Sequence, residues 1–296
     1  MDKQIPASGS GTVPSPPPPA PSPGATREKL LSWSPRRYSV NRFVLVQQPD
    51  ETKPRPSTVG VLTKGRHHRA LVLYLLLLTW WPWLSLRHTP LAAEVWVRAL
   101  TAEGPGTANA LTWSPSTLSR TWGELEELGL VERKREGRLT RIVPRREDGK
   151  DDYVASAGQK KDWYNAYFTL PHEFWTEQHF ATLSPAALAV LLIVLKETTK
   201  KPDVELLREK MQDWYGISGK TVTKGIQELM AAGLIEERLR WEEDLSAKLG
   251  YVKHHHYGLT GVFSTEERAA RRRVARRKRR LNERKKSKKA AQEAKS

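Results

Sequence analysis

The chain has 296 residues, 38% of them hydrophobic, no cysteine, and a formal net charge of +17 at pH 7 with a pI near 10.0. This length fits about two domains plus tails, and the missing cysteine excludes disulfides and thiolate metal sites and is compatible with a reducing cytoplasm. The charge points to a polyanionic partner, either nucleic acid or an anionic membrane surface, and no basic-then-apolar secretion signal opens the chain.

In chain order, residues 1–28 are rich in Pro, Ser and Gly, including PSPPPPAPSPG. They bury too little apolar surface to offset chain entropy and are expected to be disordered. Residues 29–60 read as a lead-in and linker, with RRYSVNRFVL as a short strand. Residues 61–145 form the first expected domain. Its most apolar run is LVLYLLLLTWWPWL, Leu71 to Leu84. As a helix this run would reach roughly 21 Å, short of a ~30 Å hydrocarbon core, and Pro82 interrupts it. A buried helix over 69–81 is therefore expected, with a membrane anchor as the competing reading. A second helix is expected over 91–100. Residues 146–166 read as a charged linker. The second domain, 167–263, opens with YFTLPHEFW and continues into an apolar helix over 185–196, capped by Ser184 with Pro185 at its first position. A helix over 204–215 follows from the spacing of Leu207, Met211 and Trp214. Residues 264–296 are a basic tail. From Glu266 onward it holds 15 Lys/Arg against four Glu, a net of +11, and is expected to be disordered or frayed when free and to gather on phosphate or another polyanion.

An internal repeat organises the rest. SPSTLSRTWGELEELGLVE (Ser114 to Glu132) aligns without a gap on SGKTVTKGIQELMAAGLIE (Ser218 to Glu236). In each copy a serine caps a helix. Leu118, Trp122 and Leu125, or Val222, Ile226 and Leu229, form one apolar stripe. Gly129 or Gly233 stops the helix, and Leu130-Val131 or Leu234-Ile235 begins a strand. Each copy ends in a hairpin candidate, LVERKREGRLTRIVP and the longer LIEERLRWEEDLSAKLGYVKHHHYGLT.

The repeat also disposes of the phosphate-loop reading of GISGKT, Gly216 to Thr221. A phosphate loop requires glycine where Trp214 stands, and the other copy has Pro115-Ser116-Thr117 in place of Gly-Lys-Thr.

Three helices and a hairpin, used twice, resemble the winged helix-turn-helix DNA-binding domain. The second half, from YFTLPHEFW through KTVTKGIQELMAAGLIE, is similar to the DNA-binding domain of plasmid replication initiators, and more distantly to winged-helix regulators of the MarR type. The resemblance implies a mainly α fold with small β-hairpin wings (α+β): two winged-helix domains between a disordered N-terminal tail and a basic C-terminal one. It implies double-stranded DNA as partner, a cytoplasmic, nucleoid-associated location, and a role in plasmid replication or transcription regulation. Another copy of the chain is the second candidate partner.

The expected contacts follow from helix geometry. About 100° per residue places Ser116, Arg120 and Gly123 opposite the first apolar stripe, with Ser119 on the flank. The second copy presents Lys220, Lys224 and Gln227, with Thr223 on the flank. Arg120 suits guanine and Gln227 adenine. The first wing adds Arg133, Lys134, Arg135, Arg138 and Arg141 for the backbone, and the tail adds Arg272 and Arg276. A solvated basic face is the competing reading, and recurrence of the basic position in both copies favours DNA. His254, His255 and His256 raise a metal site, but adjacent strand residues point to alternate faces and no further ligand stands at metal spacing. No catalytic constellation and no cofactor motif is present, so no enzyme is expected.

Overall fold

The computed structural model describes residues 19–49, 57–105, 107, 110–155 and 162–293. It is a mixed α+β structure with small antiparallel sheets. The expected disorder of 1–18 lies outside the described residues. Residues 23–28, also expected to be disordered, instead begin a helix, α1 (Pro23–Ser32), because Ser22 accepts the Ala25 amide and Pro23 takes the first position. Arg27, almost fully buried, donates to the carbonyls of Ala99 and Thr101 and so satisfies the end of a later helix.

The lead-in strand forms as β1 (Tyr38–Arg42). The linker that follows contains a short helix, α2 (Thr58–Lys64). The first half then supplies α3 (His68–Leu84), α4 (Ala93–Leu100), α5 (Pro115–Glu127) and the hairpin β2 (Val131–Glu136) and β3 (Leu139–Pro144). The apolar run is the core helix α3, buried almost all round, with Pro82 near its C-terminal end. Among the described residues no helix is long and apolar enough to cross a membrane. Trp80 packs on Trp83 and Trp96, and Trp96 meets Trp122 edge-on, with centroids 4.8–5.7 Å apart.

The second half supplies β4 (Tyr167–Pro171), two one-turn helices α6 (Glu173–Thr176) and α7 (His179–Thr182), α8 (Pro185–Glu197), β5 (Asp203–Glu205), α9 (Met211–Tyr215), α10 (Gly219–Ala231), and the hairpin β6 (Ile235–Glu243) and β7 (Tyr251–Leu259). The helix expected over 204–215 is corrected here: Asp203–Glu205 is a strand, and only Met211–Tyr215 is α-helical. Asp203 to Glu205 pair antiparallel with Gly258 to His256, giving a three-stranded sheet of order β5-β7-β6. A partner strand some fifty residues away overrides the local helical spacing.

The two halves share one buried apolar cluster. β1 pairs antiparallel with β4, Tyr38 opposite Pro171 and Arg42 opposite Tyr167. Gln178 and the Glu103 backbone exchange two hydrogen bonds of 2.7 and 2.9 Å, and the Ser57 hydroxyl donates to the Tyr215 carbonyl at 2.7 Å. The segment expected to be a plain linker is pinned as well. Glu147, fully buried, accepts from the Arg42 guanidinium at 2.8 Å and from the Arg42 amide at 3.0 Å. Its residues 156–161 lie outside the described residues.

The tail is helical, α11 (Thr265–Glu293), rather than frayed. Its first turns are anchored by Arg268, buried at 1% exposure, whose guanidinium donates to the carbonyls of Leu195, Thr198 and Phe263. It closes the C-terminal end of α8, where unpaired carbonyls favour a cation. Burial pushes its pKa down to about 9. Arg271 adds a 2.6 Å ion pair with Glu173.

Candidate nucleic-acid interface

The repeated segments fold alike down to their hydrogen bonds. Helices α5 and α10 are both 13 residues long. The Ser114 hydroxyl accepts the Thr117 amide at 3.1 Å, and the Ser218 hydroxyl accepts the Thr221 amide at 3.2 Å. Gly129 (φ +70°) and Gly233 (φ +67°) stand in the left-handed region that glycine enters without strain. The amides beyond them close the helices in the same two-bond pattern, Leu130 to Leu125 and Gly129 to Glu126, then Leu234 to Leu229 and Gly233 to Met230. The apolar stripes Leu118/Trp122/Leu125 and Val222/Ile226/Leu229 are buried.

The opposite faces are open. Ser116, Ser119 and Arg120 are exposed on α5, and Lys220, Lys224 and Gln227 are exposed on α10. Among the described residues Arg120, Lys220, Lys224 and Gln227 have no hydrogen-bond or ion-pair partner. Thr223 is half-buried, and its hydroxyl turns back to the Gly219 carbonyl at 3.0 Å, so it offers less than expected. Ser116 shares a 2.9 Å hydrogen bond with Ser114.

The hairpin after α5 carries its basic residues on both faces, since Arg133 pairs across with Ile142 and Lys134 with Arg141. Arg138 at the turn is exposed and without a partner among the described residues. Arg133 is held by Glu126, Lys134 approaches Glu132 at 3.2 Å, and Arg135 donates to the Gly137 carbonyl at 3.3 Å. Arg141 is committed: it binds Glu136 and donates to the carbonyls of Arg87 and His88, fixing the hairpin to the α3–α4 connection. Between α4, α5 and this hairpin runs a groove with Trp96, Leu118 and Trp122 along its floor and Arg133 and Arg138 at its rim.

On α11 the two expected contacts separate. Arg276 is exposed. Arg272 is half-buried beside Tyr38 and Tyr167, donating to the Thr199 carbonyl at 3.4 Å, with its pKa lowered by burial. A cluster formed by Arg273, Arg276, Arg277, Arg280 and Arg284 continues the exposed surface of the helix. Composition alone could not separate Arg272 from its neighbours, because all of them read as a solvated charge run.

The second hairpin gives each of the three histidines an acidic neighbour. The Nδ1 atoms of His254, His255 and His256 meet Glu205 at 2.8 Å, Glu237 at 2.6 Å and Asp203 at 3.1 Å. Alternation along the strand sends His254 and His256 toward β5 and His255 to the opposite face. Among the described residues no group of three or more His, Asp or Glu is arranged to hold a metal ion.

No family model matches this chain, and neither a curated protein nor a solved structure matches it.

Proposed function

We propose that this protein binds double-stranded DNA through two winged-helix modules, with α5 and α10 as the helices that enter successive major grooves. The observation that carries this reading is the recurrence of one arrangement: a serine-capped helix with an unpartnered basic face, closed by glycine and followed at once by an antiparallel hairpin. A solvated helix has no reason to keep a free cation at the same place in both copies, Arg120 and Lys224. A recognition helix does, because base edges and phosphates both accept hydrogen bonds. The strand order β5-β7-β6 supports the same reading, since the short strand before α9 braces the second hairpin.

Two linked modules suit a tandem array of sites about 34 Å apart along the duplex. On that ground we infer replication initiation on a plasmid or other mobile element, with transcription regulation as the competing role and the nucleoid as the place of action. The exposed arginines of α11 and of the first hairpin supply salt-dependent affinity. The test is genome-wide footprinting of bound DNA. Tandem repeats beside an origin are expected; scattered promoters would give the role to regulation, and absence of any discrete footprint would overturn sequence-specific binding.

A further inference from the structure

The two hairpins share an origin in the repeat but not a surface. Residues 131–144 carry five Lys/Arg against two Glu, a net of +3, and residues 235–259 carry four against five Asp/Glu, a net of −1. The two arginines of the second hairpin are also engaged. Arg240 binds Asp203 at 2.7 Å and Arg238 binds both Asp203 and Glu236. Phosphate has little to gain there, and five carboxylates would repel it.

What the second hairpin shows instead is apolar. Leu239, Trp241, Leu245, Leu249, Tyr251 and Val252 are exposed, Trp241 at 64% and Leu245 at 87%. These are six of the fourteen large exposed hydrophobic residues in the described chain, concentrated in 14 consecutive positions. The register gathers three of them on one surface. Leu239 stands opposite His255, Trp241 opposite Lys253 and Glu243 opposite Tyr251, so Leu239, Trp241 and Tyr251 share one side of the ribbon. The other side holds Arg238, Arg240, His254 and His256, which pair with Asp203 and Glu205 of β5. Contiguous apolar exposure rimmed by charge marks an association site.

We propose that the Leu239/Trp241/Tyr251 face of the second hairpin docks against the same face of a second copy of this chain. Charge decides the occupant. A molecule of net charge +17 repels its own copies over most of its surface, whereas this hairpin is close to neutral and presents Glu237, Glu243 and Lys253 beside the aromatic residues. Such a mixed face is self-complementary about a twofold axis, as an isologous interface requires. Edge-to-edge pairing through β6 is disfavoured, because EERLRWEE places charges along that edge. Face-to-face packing of the ribbons remains. The association needs no DNA and stands independently of the function proposed above.

Sedimentation velocity of the full chain in 0.5 M salt tests this, since that salt screens self-repulsion and strips any bridging nucleic acid. The expected result is a monomer-to-dimer shift as concentration rises through the micromolar range, stronger at high salt than at low. Trp241→Lys alone, and Leu239→Glu with Trp241→Glu, should each hold the chain monomeric at every concentration, while affinity for a single duplex site is unchanged. These side chains are exposed, so circular dichroism and melting temperature should not move. A wild-type chain that stays monomeric would overturn the proposal and leave the face to a different protein. Variants that dimerise as well as wild type would overturn it by placing the interface elsewhere.

Discussion

The Glu228 carboxylate on α10 accepts the Ser184 amide at 2.6 Å and also the Ser184 hydroxyl, holding the residue that caps α8. Its repeat counterpart Glu124 instead meets His67 at 3.4 Å, one residue before α3. The two acids recur for structural reasons: each ties its outward-facing helix to the start of the core helix beneath it. Replacing Glu228 by Ala leaves the Ser184 amide without its acceptor, a loss of about 1–2 kcal/mol. Thermal unfolding should show that loss, while duplex affinity of the folded protein stays the same.

Close packing beneath α10 makes a second prediction. A Cβ on Gly225 would lie 2.6 Å from both the Ala186 carbonyl and Val190 Cγ2, whereas one on Gly123 would meet nothing within 4 Å. Gly225→Ala should therefore destabilise the chain by about 1–3 kcal/mol. Gly123→Ala, in the middle of α5, should stabilise it by roughly 0.5–1 kcal/mol. Calorimetry of the two variants should give melting temperatures displaced in opposite directions.

The first hairpin separates an unpartnered arginine from a committed one. Arg138 has no partner among the described residues, and Arg141 is held by Glu136 and two backbone carbonyls. Arg138→Ala should weaken duplex binding uniformly across sequences with no change in melting temperature. Arg141→Ala should lower the melting temperature, and an affinity measurement beside it distinguishes the two roles.

Acid should unfold the protein through two histidines. Burial lowers the pKa of both His68 and His172 to about 4, from an ordinary value of 6.5. Below pH 6.5 the unfolded chain takes up protons that the folded chain refuses, so stability falls as pH drops from 6.5 toward 4. The slope approaches about 1.4 kcal/mol per pH unit for each histidine. His172, at 8% exposure, is the cleaner case. Denaturant melts of His172→Gln between pH 4 and 7 should show a shallower pH dependence than wild type.

Much of this was legible in the sequence because it is local. Ser114, Ser218, Gly129 and Gly233 punctuate helices by hydrogen bonds that reach only three to five residues, and the apolar stripes follow from a 3.6-residue period. The outward face containing Arg120 and Lys224 is set by the same period. What could not be read depends on distant partners. Asp203–Glu205 is a strand because of β7, Glu147 is buried because Arg42 reaches it, and α11 is docked because Arg268 meets the end of α8. None of these pairings leaves a periodic trace. The charge run around Arg268, Arg271 and Arg272 even suggested the opposite, a tail free in solvent.

The central claim is that α5 and α10 both meet duplex DNA through Arg120 and Lys224. Its most direct test is the salt dependence of binding to a footprinted duplex, measured by fluorescence anisotropy for wild type, Arg120→Ala, Lys224→Ala and the double variant. Each single variant should lose about 1–3 kcal/mol if its side chain reads a base, or lower the log–log salt slope by about 0.9 if it meets phosphate. The double variant should lose the sum. Affinity and slope unchanged in all three variants would contradict the account.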